Sequence, residues 1–319
     1  MATTPLDIAP EDVKQRLAAG KNLTVIDVRR QDEVDAWPFP GSVHVPLADL
    51  MSGAGPASAE GGDVVTVCAT GSRSRRAAEA LRRRGIVAQS LSGGMAAWSQ
   101  TYDVVPIALG TLAIAQVRRL GKGCLSYLVI SDRECAVIDP SWHIEQYLDA
   151  AAARGATIKH VIDTHLHADH VSGARALASA AGAVYRINPI DGFQFEGFEP
   201  VQDGDAVRVG AATLTAIAAP GHTRGSIVWD INGQALATGD ILFLESVGRP
   251  DLHGNSDAFA RDLFRTLGRL FALPADRVVL PGHMPESAEL SLGRPHADTL
   301  AAIRTRLHLE RDEAAFVAR

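Results

Sequence analysis

At 319 residues, with 46% hydrophobic and 21% charged residues, the chain has ordinary globular composition and is long enough for two domains with sizeable cores. A formal net charge of -6 gives no electrostatic case for nucleic acid or an anionic membrane as partner. No apolar run approaches a membrane span, residues 1–11 do not read as a signal peptide, and three cysteines do not make a disulfide framework, so the expected location is cytoplasmic.

Proline and two acids open residues 10–20 and glycine closes them, the punctuation of a short helix. Residues 23–28 and 63–68 read as buried strands, with a Gly/Ala/Ser/Pro-rich exposed loop over 52–62 between them. A helical run over 75–84 ends at Gly85, and residues 92–98 read as a turn into a short helix. Strand and helix alternate, which predicts a small α/β domain with a mainly parallel sheet over residues 1–104. The junction is expected at 102–106, without a long linker, and a second domain at 105–319. Its strands are expected near 111–117, 125–130, 134–138, 158–163, 213–218, 226–231 and 277–280, and its helices near 144–153, 171–181 and 256–271. Strands paired with outer helices in two successive halves predict a four-layer αβ/βα sandwich.

Cys68 closes a predicted strand, and a six-residue loop of Ala69, Thr70, Gly71, Ser72, Arg73 and Ser74 leads from it into a helix. Backbone N–H groups at such a helix start stabilise a thiolate or any anion attached to it, and Arg73 adds a positive charge at the mouth. The plain alternative is a buried small hydrophobe, the reading given to Cys124 and Cys135. The run Cys68-x-x-Gly71-x-Arg73-Ser74 follows Asp27-Val28-Arg29 and precedes Gly93-Gly94-Met95-x-x-Trp98. Together these resemble a single-domain rhodanese over residues 5–103. The resemblance implies that Cys68 takes a sulfane sulfur as a persulfide cradled by the amides of Ala69, Thr70, Gly71 and Ser72. Ala69 stands where many thiosulfate-using members carry a basic residue.

His165, His167, Asp169 and His170 fall within six residues on the turn leaving strand 158–163, where ligand sites of layered α/β folds lie. Clustered imidazoles and a carboxylate repel or desolvate one another unless a cation joins them, so this run predicts a metal site. Three more candidates each follow a strand-like run in a Gly-containing turn. They are His222 in Pro220-Gly221-His222-Thr223, Asp240 in Thr238-Gly239-Asp240 and His283 in Pro281-Gly282-His283, each weak alone. The remaining histidines lack such context and read as structural or surface residues. In order, the seven candidates resemble the ligand series of the metallo-β-lactamase fold, over about residues 107–300.

That fold serves hydrolases and oxygenases alike. Resemblance to the persulfide dioxygenases implies one Fe2+ per chain, held by His165, His222 and Asp240 and open at three positions for oxygen and a substrate sulfur. His167, Asp169, His170 and His283 would then orient ligands from outside. In the alternative hydrolase all seven would hold two Zn2+ around a bridging hydroxide. Gly248-Arg249-Pro250-Asp251 resembles the segment after the aspartate ligand in persulfide dioxygenases and makes Arg249 and Asp251 substrate-binding candidates. Only 36 residues follow His283 (319 − 283), too few for the added helical domain of glyoxalase II enzymes. Met284-Pro285 stands where glutathione-using dioxygenases have a tyrosine.

The expected reaction takes a low-molecular-weight thiol persulfide, of glutathione or coenzyme A type, with O2 and water to thiol and sulfite. The rhodanese domain would move sulfane sulfur between sulfite or thiosulfate and the thiol. The alternatives are a dizinc thioester hydrolase with an accessory sulfurtransferase and a persulfide-binding sensor. A homo-oligomer is compatible with the sequence.

Overall fold

The strand Asp63–Val67 is buried at every position after its first, as a strand covered on both faces must be. Val64 joins one core with Ile26, Ala77 and Leu81. Val65 and Val67 join the other, with Val25, Met95 and Trp98. The computed structural model describes residues 4–55, 62–110, 112–168, 171–251, 256–285, 292–309 and 312–318. In it the first sheet runs Asp7–Ile8, Ala88–Leu91, Asp63–Val67, Leu23–Asp27, Val43–His44, parallel throughout. The helix Ser72–Arg83 turns Ser74, Ala77, Ala78, Ala80 and Leu81 inward, mostly small side chains that let it lie close to the sheet. It begins three residues earlier than expected, so the loop after Cys68 spans 69–71 and not six residues. The polar run Ser72-Arg73-Ser74-Arg75 carries no apolar period, which hid the first turn from a pattern reading.

The chain divides into two compact units. One is Met1–Asp103 with Arg119–Gly123 and Pro285–Arg294; the other is Val104–Arg118, Cys124–Met284 and Pro295–Arg319. The second unit is built on a seven-stranded and a six-stranded sheet. Ile114, Tyr127, Val129 and Ile138 of the seven-stranded sheet share one core with Leu214, Trp229, Ile231 and Leu280 of the six-stranded sheet. On the outer face of the six-stranded sheet, Leu263, Leu267 and Leu270 of the helix Ser256–Leu270 pack on Val228, Leu236 and Val279. The helices Glu145–Ala152 and Ala174–Ala181 contact the strand Thr157–Ile162 of the other sheet. This is the four-layer αβ/βα arrangement expected from sequence, preceded by the small parallel-sheet domain.

Tyr102–Leu109 is an edge strand of the seven-stranded sheet, and the two units divide within it, between Asp103 and Val104, inside the 102–106 junction expected from sequence. Pro106 is tolerated there because one side of an edge strand needs no ladder donor. The strands Val184–Ile187 and Ala206–Val209 and the helices Leu300–Leu307 and Glu313–Val317 also escaped the pattern reading. Each is only four to eight residues long, too short for a period to stand out. Among the described residues no helix is long and apolar enough to cross a membrane.

Candidate functional site

Three strand ends of the second unit meet at one place. The strand Thr157–Ile162 delivers Asp163, Thr164 and His165; the strand Ala235–Gly239 delivers Asp240; the strand Val278–Pro281 delivers His283. His222 comes from the turn between the strands Ala212–Ala218 and Ile227–Ile231. Close approach needs glycine: a Cβ on Gly239, whose φ is +48°, would run into Thr164 Oγ1, and one on Gly282 into Asp240 Oδ1.

His165, His222 and Asp240 offer ligand atoms that lie within 4.8 Å of one another. The rings are oriented from behind. His165 Nδ1 lies 2.9 Å from Thr164 Oγ1, whose own hydroxyl donates to Asp139 Oδ2. His222 Nδ1 donates to the Arg249 carbonyl at 3.2 Å. With the proton on Nδ1 in both rings, both Nε2 lone pairs face Asp240 Oδ2, at 3.8 and 3.7 Å. His165 is 2% exposed, and its Nε2 is buried without a hydrogen-bond partner. Two aimed imidazoles and a carboxylate around a common point fit a divalent metal. Asp240 Oδ1 takes the Nδ1–H of His283 at 2.8 Å. Burial pushes the Asp240 carboxyl up, but His283, with His165 and His222 nearby, holds it well below the usual carboxylate range.

His167 is aimed elsewhere. Its Nε2 lies 3.3 Å from Asp139 Oδ1 and 3.7 Å from Asp163 Oδ1. Neither aspartate was singled out from sequence. The signal was present, since each follows an apolar strand directly, after Ile138 and Ile162. Asp169 and His170 lie outside the described residues. Arg249 and Asp251 pair with each other at 2.9 Å on the surface, and only the Arg249 backbone reaches the site. A cavity of about 300 Å³, lined by Leu166, His167, Thr223, Arg224 and Phe259, opens beside the cluster.

In the first unit Cys68 is 1% exposed. Its Sγ lies 3.2 Å from the Gly71 amide and 3.4 Å from Ser74 Oγ. Burial opposes ionisation, but the bonds from Ser74, Thr70 and Gly71 win and lower the thiol below its ordinary value. The amides of Met95 and Ala96 fix the loop by donating to the carbonyls of Cys68 and Ala69. Arg73 makes a two-pronged pair with Glu33, at 2.6 and 2.7 Å. Glu33, a residue the sequence did not flag, is set by Arg29, which binds the Glu33 and Trp37 carbonyls and a buried Asp27. The three cysteines are free, and burial pushes the Cys135 thiol up to about 12.

The Rhodanese-like domain family model matches residues 9–101, and the metallo-beta-lactamase superfamily model matches residues 120–283. A hydroxyacylglutathione hydrolase of Rhodospirillum rubrum is 36% identical over 55% of this chain and 67% of its own length. The mitochondrial persulfide dioxygenase ETHE1 of Bos taurus is 31% identical over 51% of this chain and 65% of its own length. The crystal structure of ETHE1 from Myxococcus xanthus superposes with a TM-score of 0.56 at 29% identity, covering 64% of this chain and 88% of that one. The chain thus spans about two thirds of the length of the two sequence relatives. It belongs to the metallo-beta-lactamase superfamily and carries a rhodanese-like domain on the same polypeptide.

Proposed function

We propose that the chain is a persulfide dioxygenase with a sulfurtransferase domain, converting a small thiol persulfide, O2 and water to thiol and sulfite. The observation that carries this reading is the trio His165, His222 and Asp240, with the second oxygen of Asp240 already committed to His283. A two-histidine, one-carboxylate set leaves more coordination positions open than a closed four-ligand site does. An iron ion held there would supply the redox chemistry that joins oxygen to the terminal sulfur. The chain's own part is to hold the two imidazoles by their Nδ1–H groups, keep Asp240 ionised and admit the persulfide beside the cluster. At Cys68, the thiolate would attack a sulfane sulfur, release the donor and hold the sulfur as a persulfide against the Gly71 amide. An acceptor thiol or sulfite would then take that sulfur and restore the thiolate. The substrate thiol is of glutathione or coenzyme A type.

A dizinc thioester hydrolase stands as the second reading, favoured by the 36% identity to a hydroxyacylglutathione hydrolase. Metal content separates the two. The dioxygenase reading expects about one iron per chain and oxygen uptake with a persulfide. Two tightly held zincs, thioester hydrolysis and no oxygen uptake would sink it. Asp240→Asn, which keeps size and removes the anionic ligand, is expected to lose most iron and oxygen uptake while keeping the fold.

A further inference from the structure

His165 and His167 stand two apart on one turn, and alternate residues of an extended segment point to the same side. By spacing alone both would face the metal. The rings do lie close, with centroids 4.3 Å apart and planes tilted by 58°. Yet His167 Nε2 faces Asp139 and Asp163, which form with it a second cluster whose ligand atoms lie within 4.8 Å of one another.

The two carboxylates are fixed from behind. Asp139 accepts from the Thr164 amide at 2.7 Å and the Thr164 hydroxyl at 2.9 Å. Asp163 Oδ2 accepts from Ser172 Oγ at 2.8 Å and Tyr185 OH at 2.9 Å. Asp163 Oδ1 is buried with no hydrogen-bond partner and faces the His167 ring. A desolvated carboxylate oxygen without a donor is costly, so Asp163 Oδ1 attracts the His167 Nε2 that faces it at 3.7 Å, and Asp139 Oδ1 adds its charge at 3.3 Å. The same Asp139 also fixes Thr164, and through it the tautomer of His165. One carboxylate therefore orients the ligand that faces the metal and retains the histidine that turns away.

We propose that Asp139 and Asp163 are positioning residues that hold His167 out of the metal centre, keeping it at three protein ligands. The inference rests on the reading that one metal sits at His165, His222 and Asp240. Were His167 released, its ring is near enough to join that metal as a third imidazole, leaving one position fewer for substrate and oxygen.

The test counts imidazoles directly, by pulsed electron paramagnetic resonance on the iron-loaded, nitric-oxide-treated full chain, and is read without turnover. The parent protein should show two coordinated histidines, and His167→Ala should show the same two with iron still bound. A parent signal from three imidazoles, or the loss of one in His167→Ala, overturns the proposal. Asp163→Asn keeps an acceptor for Ser172 and Tyr185 but removes the charge facing His167. It should raise the count from two to three; a count that stays at two in the folded variant removes Asp163 from the holding role. Should Asp163→Asn fail to fold, the comparison of parent and His167→Ala still decides whether His167 is a ligand. Two imidazoles in the parent without oxygen uptake would leave this proposal standing and sink the dioxygenase reading.

Discussion

A buried thiol ordinarily resists ionisation, and Cys135 shows the rule, its value pushed up to about 12. Cys68 is also buried but moves the other way because its sulfur meets the Ser74 hydroxyl and the Gly71 amide. The Ser74 side chain stands first among the groups that lower it. A lowered thiol value enlarges the thiolate fraction at neutral pH. The rate of Cys68 alkylation by iodoacetamide should therefore reach half its maximum below the ordinary cysteine value of 9.0. Ser74→Ala removes one hydrogen-bond partner of the sulfur and should move that midpoint upward while leaving the Gly71 amide in place. An alkylation midpoint unchanged in Ser74→Ala would show that the backbone amides alone set the reactivity. Arg73 contributes less freely than its sequence position suggests, since Glu33 occupies both arms of its guanidinium and is itself held ionised down to about 2.

Strand ends, more than side-chain identity, decide where the metal candidates converge. Gly239 ends one of those strands at φ +48° and packs against Thr164, which in turn sets His165. Gly239→Ala should lower iron retention as well as stability, because Thr164 must move and carry His165 with it. Gly155→Ala is the control: Gly155 also has positive φ, at +62°, but nothing lies within 4 Å of its would-be Cβ. That variant should cost only the backbone strain, about 1–2 kcal/mol, and keep its iron. Equal iron retention in the two variants would show that the Gly239–Thr164 contact does not position the site. The strands themselves were legible because burial on both faces writes continuous apolar runs, and Glu134–Ile138 falls on the residues expected. The aim of His167 was not legible. Spacing tells which side of a turn a ring leaves from, whereas its partners Asp139 and Asp163 are acids at strand ends that look like ordinary turn residues.

Each unit has its own sheets and its own hydrophobic cores, so the two proposed chemistries should be separable by one substitution. Cys68→Ser removes the sulfur that would carry the persulfide, and a serine oxygen cannot replace it at neutral pH. The change is nearly isosteric, so the core around Ile26, Val64 and Ala77 should be little disturbed. His165, His222 and Asp240 belong to the other unit, as do Thr164, Asp139, Arg249 and His283, which orient them. Oxygen uptake with a supplied small-thiol persulfide should therefore stay near the parent value in Cys68→Ser. Sulfur exchange between thiosulfate or sulfite and thiols should vanish in the same preparation. Paired measurements decide the matter, an oxygen electrode for the first and chromatographic sulfite and thiosulfate for the second. Loss of both activities in a folded, iron-loaded Cys68→Ser protein would mean that Cys68 delivers sulfur to the metal centre itself. The picture of two independent sites would then give way to one of direct transfer.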